Sequence, residues 1–232
     1  MNLLDSLSFL TPGDLVALGT LVVLWGAIGW RIEHSGTAKP STSSIMADYR
    51  REWMRQMVAR EVRIFDAQTI GTLRQSTAFF ASTCVIAIGG TLALIGNADQ
   101  VAGLAADLTD ASAPQIVWEL KLLVIVFFLT NAFLKFVWSN RLFGYCSVVM
   151  GAAPNDSSDP KAGLFAHKAA ELNIAAARSF NRGLRAIYFG LAAVAWLAGP
   201  EMLGLAVIVT SCVIWRREFA SQSRKVLLED AL

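Results

Sequence analysis

Charge is scarce in this chain: only 16% of its 232 residues are Asp, Glu, Lys or Arg. A soluble domain of similar length carries about a quarter. The apolar residues, 55% of the total, are gathered into long runs, which excludes an ordinary soluble core. Histidine is nearly missing. With only His34 and His167 there is no paired-histidine motif of the HExxH type, and nothing in their spacing brings the two together on a haem. P-loop and GxSxG sequences are absent, and no two carboxylates share a mid-membrane position. These absences leave no catalytic residue to assign, and the chain is expected not to be an enzyme. Cysteine is limited to Cys84, Cys146 and Cys212, which are scattered and lie in or beside apolar runs. They read as small packing residues rather than a metal or redox site, and no cofactor is expected. Residues 1–11 hold no Lys or Arg, which excludes the basic start of a signal peptide.

What is present is a series of apolar segments of spanning length. Thr11-Pro12-Gly13-Asp14 reads as a helix start, with Thr11 as cap, Pro12 in the first turn and Asp14 suited to the dipole. Five spans follow, at residues 12–32, 77–96, 116–138, 183–198 and 202–216. The last two flank Gly199-Pro200-Glu201 and form a helical hairpin. Residues 45–76 read as a basic amphipathic helix, uninterrupted by Gly or Pro over Met46–Ile70. Residues 161–182 read as a second such helix, continuous with the fourth span and projecting from the membrane. The predicted fold is all-α: a polytopic membrane bundle of about five spans, one integral membrane domain over 1–232, with long helices extending into the cytoplasm. Asn97–Pro114 carries Asp99, Asp107 and Asp110 in a spacing that matches no calcium loop, so it reads as a solvated acidic connector.

The 20 basic residues orient the bundle. They fall after span 1 (Arg31 to Arg74), after span 3 (Arg141 to Arg185) and in the tail (Arg216 to Lys225), apart from Lys121 and Lys135 within span 3. Positive residues stay inside. This predicts a multi-pass protein of the inner (plasma) membrane, with the N-terminus outside and the C-terminus cytoplasmic.

The segments FNRGLRAIYFGLAAVAW (Phe180–Trp196) and WRREFAS (Trp215–Ser221) resemble an uncharacterised membrane-protein family of bacteria and plants, catalogued as domain of unknown function 599. RIFDAQ (Arg63–Gln68), FFAST (Phe79–Thr83) and the Lys135 to Arg141 end of span 3 are similar too. The resemblance covers roughly Val16 to Ser221. It implies membrane placement and supplies no catalytic residue.

Two polar constellations are candidate sites. Span 3 carries Lys121, Asn131 and Lys135 on one face, with Trp118 and Trp138 as interface markers. Lys121 and Lys135 are close enough to the ends to snorkel. Asn131 is not, and it needs a hydrogen bond from another helix or a cavity. The second constellation is a basic collar: His167, Glu171, Arg178, Arg182 and Arg185 down one helix face, joined by Arg216 and Arg217. It suits anions or anionic headgroups; the alternative is salt bridging to Glu52, Glu61 and Asp66. His167 and Glu171 alone make no metal site. The expected function is an oligomeric channel, with a non-transporting accessory or scaffold subunit as the alternative. The expected partners are the lipid bilayer, through anionic headgroups, and further copies or a membrane complex, not nucleic acid.

Overall fold

The computed structural model describes residues 10–97, 103 and 114–229, and every regular element among them is helical. The acidic connector's Asp99, Asp107 and Asp110 lie outside the described residues. The helices are α1 (Pro12–Glu33), α2 (Thr42–Val58), α3 (Ile64–Ile95), α4 (Gln115–Gly151) and α5 (Ala162–Val194). A 3-10 turn over Ala195–Ala198 then leads to α6 (Pro200–Phe219) and a short α7 (Gln222–Leu228).

Three of these, α1, α3 and α4, are long and apolar enough to cross a membrane. Their most apolar windows are only 22%, 17% and 33% buried by the rest of the chain. So much uncovered apolar surface is stable against lipid and unfavourable in water. The five expected segments are all helical, but the last two are less apolar over the length of a span than α1, α3 and α4. In the middle of α5, Arg178, Arg182 and Arg185 limit the apolar run to its last part, and α6 carries Glu201 near its start and Arg216 and Arg217 near its end. Between them the chain turns at Gly199, whose φ of 120° is a conformation that favours glycine.

The chain resolves into two compact units. Unit 1 comprises the described parts of Met1–Arg31, Thr83–Ala132 and Leu184–Arg216; unit 2 comprises those of Ile32–Ser82, Phe133–Gly183 and Arg217–Leu232. Helices α3, α4 and α5 are divided between the two, and α1 and α6 each pass their last few residues from unit 1 to unit 2.

Along α5 a buried ridge of small residues recurs every three or four positions. It runs Ala162, Ala166, Ala169, Asn173, Ala176, Ser179, Gly183, Ala186, Gly190 and Ala193. Small side chains let helix backbones approach closely, which favours association where hydrophobicity gives no drive. In unit 2, α4 lies against this ridge: Ser139 Oγ donates to the Ala176 carbonyl at 2.7 Å and Ser179 Oγ to the Lys135 carbonyl at 2.8 Å. A Cβ added to Gly183 would sit 2.8 Å from the Phe136 ring. In unit 1, Gly190 similarly faces Phe128, and Trp25 meets Phe128 edge-on at 5.1 Å.

The amphipathic helix expected over 45–76 is broken. Helix α2 ends at Val58 and α3 begins at Ile64. The bend lets Met54, Met57 and Val58 share one core with Ile70, Leu142, Phe143, Cys146 and Met150. Burying such side chains is worth about 1.5–3 kcal/mol each, which outweighs the backbone hydrogen bonds lost at the corner. Polar contacts fix it. Asp66 accepts from Trp53 Nε1 at 2.7 Å and from Arg60 Nη1 at 2.5 Å. Arg63 donates to the carbonyls of Ala153 and Pro154 just beyond the C-terminus of α4, at 3.0 and 2.6 Å. Val62, Ile64 and Phe65 stand at this corner and are exposed.

Candidate functional site

Unit 1 holds a buried charge cluster. Asp14 and Lys121 are each only 6% exposed. Thr11 and Asp14 form a reciprocal cap. The Asp14 amide donates to Thr11 Oγ1 at 3.2 Å, and Asp14 Oδ2 accepts from the Thr11 amide and hydroxyl at 3.0 and 2.6 Å. The second carboxylate oxygen accepts from Trp196 Nε1 at 2.6 Å. The 3-10 turn after α5 is what presents this indole. Lys121 Nζ lies 4.7 Å from the Trp118 ring and 5.8 Å from the Trp196 ring, within cation–π range. The Trp118 indole nitrogen is buried without a hydrogen-bond partner among the described residues.

This corrects two expectations. Lys121 does not snorkel away from the chain, because two indoles and the nearby Asp14 charge hold it inside unit 1. Trp118 is not an interface marker, since it is packed inside as the seat for that ammonium. Trp138 is half exposed, as an interfacial residue would be. Asn131, also in unit 1, is half-buried and makes no side-chain hydrogen bond to a described residue. Lys135 belongs to unit 2 and is half-buried there.

Unit 2 distributes its polar contacts. Arg50 donates to Asn173 Oδ1, and Asn173 lies 4.0 Å from Cys146 Sγ. Burial pushes the Arg50 guanidinium's pKa below its ordinary value. Arg51 bridges Glu171 at 2.8 Å and Asp48 at 2.9 Å, and the Glu171 hydrogen bond raises its pKa. Arg182 pairs with Glu33 at the end of α1, which raises the Arg182 pKa. Glu218, buried, accepts from the Ser43 amide and hydroxyl at 3.1 and 3.0 Å and so closes the N-terminus of α2.

The collar is therefore dispersed. His167 and Arg178 are exposed, Glu171 is engaged by Arg51, and Arg182 by Glu33. Arg217 is exposed in unit 2. Arg185 and Arg216 belong to unit 1, the first buried beside Gly29 and the second exposed. The ionic partners expected for it are also corrected. Glu52 binds Arg55 and Gln56 on its own helix, and Asp66 is taken by Arg60 and Trp53. No group of three or more metal-ligating side chains occurs among the described residues.

Asp14, Trp196, Asn173 and Glu218 were not among the sequence candidates. One local signal was legible: Trp118 and Lys121 stand three apart on one helix and therefore share a face. Neither a curated protein nor a solved structure matches the chain. The model of one family, described as a protein of unknown function, DUF599, matches residues 16–223. Since that match covers most of the chain, the protein belongs to the DUF599 family.

Proposed function

We propose that this protein is a membrane-embedded scaffold, a non-transporting accessory subunit that holds a partner complex at the bilayer. The observation that carries this reading is the inward pairing of charge. Lys121 is sealed against two indoles. In unit 2, Arg50, Arg51, Arg60 and Arg63 are all engaged within the chain. Exposed beside them is an apolar group at the α2–α3 corner, Val62, Ile64 and Phe65. A partner protein would cover it. The basic residues of unit 2 support a cytoplasmic position for that corner, with the chain in the inner membrane and its N-terminus outside. The reading involves no catalytic group, cofactor or nucleic acid.

Asn131 favours the second reading, an oligomeric channel. Its amide lies mid-span and half-buried without a hydrogen bond to the described residues, so a second copy or a water path would satisfy it. Oligomer mass in mild detergent and ion flux in liposomes separate the two. The scaffold reading expects no flux, and a photo-crosslinker at position 65 that yields one discrete adduct in cells, lost in Ile64→Asp. Flux from the wild-type protein that Asn131→Leu abolishes with assembly intact sinks it.

A further inference from the structure

A groove of about 760 Å³ lies between α3 and α4 within unit 2. One end is cationic, with Arg74 from α3 and Arg141 from α4. Arg141 Nε donates to Tyr145 Oη at 2.5 Å, which holds the guanidinium in place and leaves the phenol O–H free to donate. Arg74 lies over Gly144, where an added Cβ would come within 3.9 Å of its guanidinium carbon. Asn140 donates to the Arg74 carbonyl and to Thr77 Oγ1, both at 2.9 Å, and so fixes the spacing of the two helices. The other arm is apolar and small: Ala78, Ala81 and Val137. These residues lie on the spanning side of the two arginines in sequence, where α3 and α4 leave most of their apolar surface uncovered.

The charge is uncompensated here, in contrast to the collar. Arg182 has Glu33 and Glu171 has Arg51, whereas neither Arg74 nor Arg141 meets a carboxylate among the described residues. Two guanidiniums above an apolar trough match a ligand with one anionic phosphodiester and an acyl chain. We infer that this groove binds one anionic phospholipid. The phosphate sits between Arg74 and Arg141 and takes the Tyr145 hydroxyl proton as a hydrogen bond. An acyl chain lies along Ala78, Ala81 and Val137. The site does not involve Val62, Ile64 or Phe65, and it stands whether or not that corner binds a protein.

The test is native mass spectrometry of the full chain released from vesicles of equal phosphatidylglycerol and phosphatidylcholine. The expected result is one retained phosphatidylglycerol, preferred about thirtyfold, since the two basic residues near an anionic headgroup contribute on the order of 1 kcal/mol each. Arg74→Gln with Arg141→Gln abolishes the preference, and the exposed-site control Arg55→Gln keeps it. Millimolar inorganic phosphate leaves the lipid bound, because it lacks the chain. Should the double variant misfold, Gly144→Leu displaces Arg74 and fills the trough with both charges intact, and it also loses the lipid. Equal retention of the two lipids, or an unchanged preference in Gly144→Leu, overturns the assignment. So does a lipid-free dimer that the arginine variants convert to monomer, which would mean a second copy occupies the groove.

Discussion

The two units hold charge in opposite ways. Unit 1 holds a buried cluster of a carboxylate, two indoles and an ammonium, tied to the cap of α1. Unit 2 spreads it over several pairs, many with one partner near water, such as Arg51 with Glu171 and Arg60 with Asp66. A buried charge that loses its partner keeps its full desolvation cost, whereas an exposed one turns to solvent. Unit 1 should therefore fail at single points and unit 2 should degrade gradually.

The largest expected effect tests that contrast directly. Asp14→Ala removes the cap, the Trp196 acceptor and the counter-charge of Lys121, and should cost about 3 kcal/mol of stability. Adding Lys121→Met should restore roughly half, because the ammonium is no longer stranded. In unit 2, Asp66→Ala should cost about 2 kcal/mol, since Arg60 can relax outward and only the Trp53 N–H stays unpaired. Unfolding in mild detergent, followed by tryptophan fluorescence, measures all three. Equal losses for Asp14→Ala and Asp66→Ala, or no rescue by Lys121→Met, break the comparison.

The next test moves from charge to packing. At Gly183 in unit 2 an added methyl would sit 2.8 Å from Phe136, a ring stacked on Phe80 and edge-on to Phe180, both at 5.3 Å. The ring has no room to move, so Gly183→Ala should cost about 2 kcal/mol. At Gly190 in unit 1 the nearest atom is Phe128 Cβ at 3.1 Å. A shift of a few tenths of an ångström suffices there, and the expected cost is about 1 kcal/mol. The same melts rank them, and a larger loss at Gly190 would mean that the unit 1 helices are the more tightly packed pair.

These residues also mark what was legible in the sequence. The apolar runs and the Gly199 turn depend on composition and local period, and they were readable. The break after Val58 was not. No Gly or Pro marks it, and it follows from Asp66, Trp53 and the distant Ala153 and Pro154 carbonyls acting together. The Asp14–Trp196 hydrogen bond joins residues 182 apart in sequence, and no local pattern encodes such a pairing. For the collar, the helical wheel placed the residues along one helix but could not supply their partners. Those were decided by where the end of α1 and the middle of α2 came to rest, so that Arg182 pairs with Glu33 and Glu171 with Arg51, and neither Glu52 nor Asp66 reaches the collar.

The smallest effect sharpens the comparison from the exposed side. Glu52 is fully exposed on α2, yet hydrogen bonds from Arg55 and Gln56 lower its pKa to about 2. A carboxylate whose folded pKa lies below its unfolded value stabilises the fold above the unfolded pKa, about 4.3. That contribution fades as the pH falls through 2. Wild type and Glu52→Gln should therefore differ by a small, constant amount from pH 8 down to pH 5, and the gap should close between about pH 4 and pH 2. Added salt should shrink it at every pH, because an exposed pair is screened. Thermal melts of both proteins across that range, at low and high salt, provide the check. A gap that persists at pH 2, or that ignores salt, would mean Glu52 contributes through packing, and the distributed pairs of unit 2 would then be less solvent-compensated than their exposure implies.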